Sequence, residues 1–144
     1  MSLSTPNTQA AYAALILRVS LGVMFLAHAS LKLFVFTLPG TVQFFESIGY
    51  PGFLAYLVVF GELFGGIALI AGFQVRAVAA LLIPIMIGAT LQHLPAGWLF
   101  SSPNGGWEFP AFWTVTLVVQ ALLGAGAHAI RLPGLPEIGE PRTA

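Results

Sequence analysis

The chain has 144 residues, room for a single domain. Apolar residues make up 58% and charged residues 7%, with zero net charge; a soluble domain carries about 25% charged residues. So little charge excludes a surface that meets water all round, and the neutral balance leaves no electrostatic footprint for nucleic acid. Cysteine is absent, which excludes thiol chemistry and argues against iron–sulfur and thiolate–metal centres.

Crossing a bilayer takes about 20 mainly apolar residues in a helix. Residues 1–10 read as an N-terminal tail with no basic residue and no cleavage signal, so the first apolar segment is expected to be retained. The first span is expected over Ala11–Leu33, interrupted by Arg18, His28 and Lys32. Next comes a link in which Thr41 suits an N-cap, and Gly49 followed by Pro51 suits a helix end. Val42, Phe44, Phe45 and Ile48 recur between them at helical spacing, which predicts a short amphipathic helix over Val42–Ile48 lying on the membrane surface. The second span is expected over Phe53–Phe73 with Glu62 near its middle, and the third over Ala77–Leu94, with Pro84 as a kink. Pro95–Glu108 forms a loop with two interface tryptophans, Trp98 and Trp107, and a turn at Asn104-Gly105. The fourth span is expected over Phe109–Ile130, and residues 132–144 form a proline-rich, charged, flexible tail. The fold class is therefore all-α: a membrane-embedded four-helix bundle over residues 11–131, with an interfacial helix between helices one and two.

Arg76, Arg131 and Arg142 fall on the side shared by the termini and only Lys32 on the other. The excess of basic residues places both termini in the cytoplasm.

Ionisable groups inside a bilayer are costly and face the protein interior. Arg18, Gly22, Phe25, Ala29 and Lys32 share one stripe of the first span, flanked by His28. Glu62, Gly65, Gly66, Leu69 and Phe73 share a stripe of the second, with Gly61 and Gly65 as a small-xxx-small pair. Thr116, Gln120, Gly124 and His128 are spaced by four on the expected fourth span. Glu62 is expected roughly 13 Å below the outer end, between the levels of His28 and Arg18, within reach of either Arg18 or Lys32 through a snorkelling side chain. Near the outer surface His28, Lys32, Gln92, His93 and Glu108 are in range of convergence. Each group also has an ordinary reading: an ion pair locking helices one and two, interfacial histidines, and Glu108 complementing a helix dipole. No aspartate occurs, no nucleophile elbow appears, and no phosphate loop follows a strand.

Leu17-Arg18-Val19-Ser20-Leu21-Gly22 followed by His28 and Lys32 resembles the first helix of the DoxX family. So do Thr41-Val42-Gln43-Phe44-Phe45 with Gly49-Tyr50-Pro51, Gly61-Glu62-Leu63-Phe64-Gly65-Gly66, Arg76-Ala77-Val78-Ala79-Ala80, and Asn104-Gly105-Gly106-Trp107-Glu108. Ala29 stands where the family pattern has a glycine. The resemblance runs from about Leu15 to Gly126 and implies a four-helix protein of the bacterial inner membrane linked to redox or stress-response complexes. The family takes its name from a subunit of a thiosulfate:quinone oxidoreductase.

On this basis the expected function is a membrane subunit of a quinone-linked oxidoreductase. Quinone would bind between helices one, two and four, Glu62 and His28 would handle its protons, and Arg18 would tune Glu62. The candidate ligand-binding residues are Arg18, His28, Lys32, Glu62, His93, Glu108 and Gln120. Electrons would come from a partner protein, and the bilayer and a second copy of the chain are further expected partners. A non-enzymatic anchor for a soluble partner and, further off, a small-solute transporter remain open.

Overall fold

The computed structural model describes residues 8–139. Arg142, most of the expected N-terminal tail and the end of the C-terminal tail lie outside the described residues. Those described form five α-helices and no strand: α1 (Thr8–Ser30), α2 (Leu38–Ser47), α3 (Phe53–Ala71), α4 (Val75–His93) and α5 (Glu108–Leu123). Leu31–Val35 continues α1 as a π-helical turn, and Leu94–Ala96 closes α4 with a 3-10 turn.

Among the described residues, three stretches are long and apolar enough to cross a membrane: Thr8–Val35, Phe53–Ala71 and Val75–Ala96. Large apolar side chains face outward on them, among them Ile16, Phe34, Phe64 and Leu81. That exposure suits a lipid solvent and would be untenable in water.

The fourth stretch departs from expectation. α5 has 16 residues, about 24 Å of rise, and stops at Gly124 rather than running to Ile130. Gly124 takes φ 80°, and His128, expected on the same helix face, also leaves helical geometry at φ 52°. The apolar composition would have allowed the helix to continue. Positive-φ glycines and the two arginines described below, which take up the freed carbonyls, end it early. The short helix after α1 also begins earlier than expected. Its N-cap is Thr37, which accepts from the Gly40 amide, with proline in the first turn. Thr41, the expected cap, is instead buried, and its hydroxyl donates to the carbonyls of Thr37 and Lys32.

α1 packs along α3 and α4 along α5, with α3 also against α4 and α5 also against α1. A Cβ added to Gly22 would lie 2.7 Å from the Gly66 carbonyl oxygen, and one added to Gly66 would lie 2.9 Å from that of Gly22. The two helices thus meet backbone to backbone, as small residues permit in membranes. This contact fixes the antiparallel register, putting Arg18 level with Ile70 and Leu26 level with Glu62. The core between the helices holds Leu21, Phe25, Leu69, Val75, Leu82, Met86, Trp113 and Leu117.

Candidate functional site

Lys32 Nζ lies 2.8 Å from each carboxylate oxygen of Glu62. Lys32 is rooted six residues beyond the level of Glu62, about 9 Å of rise. Its side chain covers that distance because side chains on α1 lean toward the helix N-terminus, which here is toward Glu62. Of the two partners open to Glu62, the register therefore selects Lys32. Glu62 is 4% exposed, while the Lys32 side chain keeps 20% of its surface open. Lys32 sits within the π turn, where the Phe36 amide reaches back to the Leu31 carbonyl. Such turns often occur at functional positions, and nothing in Leu-Lys-Leu-Phe-Val signals one.

His28 stands one turn before Lys32. Its Nδ1 donates to the Met24 carbonyl at 2.9 Å; the carbonyl can only accept, so in the neutral ring Nε2 is left as the free acceptor. The imidazole meets Trp113 of α5 edge-on, with ring centroids 4.9 Å apart, and Trp113 also packs on Phe25 and Phe109. The indole Nε1 of Trp113 is buried without a partner, although buried donors are nearly always satisfied. Trp113 was not foreseen; in the sequence it is one more aromatic in an apolar run.

The other candidates separate from this cluster. Arg18, 1% exposed, lies about 20 Å along α1 from Lys32 and makes no bond to Glu62. Its guanidinium donates to Leu69 and Ile70 at the end of α3 and to Ala125, Ala127 and His128 after α5. It is a helix C-cap whose positive charge meets the negative end of the α3 dipole. Gln120 is fully buried near that end, with Nε2 donating to the Gly124 carbonyl and Oε1 unpaired. The expected outer convergence does not form. Gln92 is exposed, the His93 ring bonds the carbonyls of Asn104 and Gly105, and Glu108 accepts from the Phe100 amide. His93 and Glu108 thus hold the loop before α5. Thr41, through the Lys32 carbonyl, ties α2 to the cluster.

A lysine donor, a carboxylate acceptor and a free imidazole nitrogen can together bind a polar oxygen and move a proton. Among the described residues, no group of three or more histidine, aspartate, glutamate or cysteine side chains is placed to hold a metal.

Long apolar helices that carry a buried ion pair between them define an integral membrane protein. The DoxX profile matches residues 13–95, which hold Arg18, His28, Lys32, Glu62 and His93, and the chain belongs to the DoxX family. It is 36% identical over 112 residues, 77% of this chain and 78% of the relative, to a Bacillus subtilis (strain 168) protein named "Putative oxidoreductase CatD". No solved structure matches significantly.

Proposed function

We propose that this chain is the membrane subunit of a quinone-linked oxidoreductase, with its ligand site at Lys32, Glu62 and His28. In this reading α1, α3, α4 and α5 all cross a bacterial inner membrane, α2 lies at its surface, and both termini face the cytoplasm. α5 reaches the boundary together with the segment that follows it. A soluble partner supplies the electrons.

The Lys32–Glu62 pair carries the reading. A buried carboxylate held by a partly open lysine, beside a histidine with one free ring nitrogen, is the equipment needed to exchange protons with a quinone oxygen. The unpaired Trp113 N–H beside His28 offers a further donor for such an oxygen. The name of the Bacillus subtilis relative points to the same class of chemistry. Arg18 and Gln120, at the other end of α1, and the loop residues His93 and Glu108 have no part in the site.

The test is a titration of decyl-ubiquinone and of a menaquinone analogue into the full chain in lipid nanodiscs, read by tryptophan quenching. Saturable binding that weakens at least tenfold in both Glu62→Gln and His28→Ala is expected. Affinity unchanged in both variants would refute the site. A soluble protein retained by a chain that binds no quinone would move the assignment to a scaffold.

A further inference from the structure

At the opposite end of the molecule the first turns of α1 and α4, the last turn of α5 and the segment after it border an open cleft of about 370 Å³. Its apolar rim is formed by the exposed Ala10 of α1 and Leu123 of α5, while Ala14 is buried against Gly126; Arg76, Arg131 and Glu137 also line the cleft. Three helix ends meet here, so the cleft lies where the apolar spans give way to the polar membrane boundary.

The charges at this end are unbalanced. Arg18, Arg76 and Arg131 are faced, among the described residues, by Glu137 alone, while the other end carries Lys32 against Glu46, Glu62 and Glu108. Arg76 donates through one terminal nitrogen to Ala121 and Leu122, but its second reaches only Leu123, at 3.5 Å, and its Nε is buried without a partner. Arg131 is exposed and has no hydrogen bond or ion pair among the described residues. Glu137 accepts from the Arg76 backbone amide in the first turn of α4, at 3.3 Å. The chain's own carboxylate thus occupies part of a site whose cations exceed it. Neighbouring residues are tethered there by Gln74, which donates to the Pro136 carbonyl and accepts from the Ile138 amide.

We infer that this cleft binds a phosphate group, supplied by an anionic phospholipid whose headgroup sits between Arg76 and Arg131 and whose acyl chains run along the exposed apolar rim of Ala10 and Leu123. Guanidinium groups suit phosphate oxygens, and the apolar rim beside them is what a lipid needs and a free anion does not. Glu137 acts as a built-in competitor. The inference does not rest on the quinone reading, because it concerns other residues at the other end of α1.

The experiment is native mass spectrometry of the detergent-purified full chain with equal amounts of phosphatidylglycerol and phosphatidylcholine, repeated with added inorganic phosphate. The wild-type chain is expected to prefer phosphatidylglycerol. Arg131→Ala should reduce that preference about fivefold, since each cation near a lipid surface contributes on that scale. Glu137→Gln should increase it, because a like charge is removed from the headgroup. Both positions are at the surface, and circular dichroism checks that the helices persist. If phosphate at millimolar concentration abolishes lipid binding, with the same dependence on Arg131, the site stands and its ligand is the free anion. Equal retention of both lipids without phosphate competition, no effect of Arg131→Ala, or weaker binding in Glu137→Gln would overturn the inference.

Discussion

Replacing Arg18 with methionine keeps most of the side-chain length and removes every donor. Five carbonyl oxygens then lose a guanidinium partner: Leu69, Ile70, Ala125, Ala127 and His128. Hydrogen bonds between elements in a membrane average about 0.6 kcal/mol, so five give a loss of about 3 kcal/mol. Two further effects pull in opposite directions. Removing a buried cation relieves its desolvation, whereas the buried Ala125 carbonyl is left without a partner. The second effect dominates because Arg76 and the positive-φ Gly124 and Gly126 still keep this segment out of the helix when Arg18 is gone. The assay is unfolding of the full chain by increasing mole fraction of sodium dodecyl sulfate in bicelles, followed by circular dichroism. Arg18→Lys, which keeps the charge but has a single nitrogen to share, should recover about half of the loss. A methionine variant within about 1 kcal/mol of wild type would refute the view that this arginine closes the structure.

Two other substitutions bear on the helix contacts. Gly22→Val places a Cβ 2.6 Å from Ile70 Cγ1 and 2.7 Å from the Gly66 carbonyl, so the same titration should show a loss of about 1 to 3 kcal/mol; Gly88→Ala, which meets nothing within 4 Å, should cost nothing. Glu62→Leu alone strands the Lys32 ammonium and should cost about 3 kcal/mol, whereas Lys32→Met with Glu62→Leu should restore near wild-type stability while leaving quinone affinity abolished.

How much of this was legible in the sequence depended on range. The three long apolar helices follow from composition alone, because nothing else in the chain could shield their backbones from lipid. The Lys32–Glu62 contact was within reach too, since the rise of two antiparallel helices and the length of a lysine side chain bound the choice to two partners. The end of α5 was not. Gly124 sits in a run that stays apolar to Ile130, and what stops the helix there is Arg76 from α4 and Arg18 from α1, both distant in sequence. Thr37 and Thr41 are both competent caps by residue type. The buried Thr41 hydroxyl is taken up by the Thr37 and Lys32 carbonyls, which leaves Thr37 as the cap. His93 and Glu108 fall at the same end of the bundle as Lys32, but local loop carbonyls and amides satisfy them first.

The bonds from Arg18 to Ala125 and His128 span 107 and 110 residues. During synthesis, therefore, α1 enters the membrane carrying a cation whose last acceptors are still unmade. The hairpin with α3 supplies two of them, and the remainder arrive only after α5 has emerged. A nascent chain cut short before Ala125 keeps its apolar helices but holds an arginine with its closing bonds missing. Closure of the bundle therefore waits for the segment that follows α5, and until that segment arrives the Arg18 guanidinium is only partly satisfied.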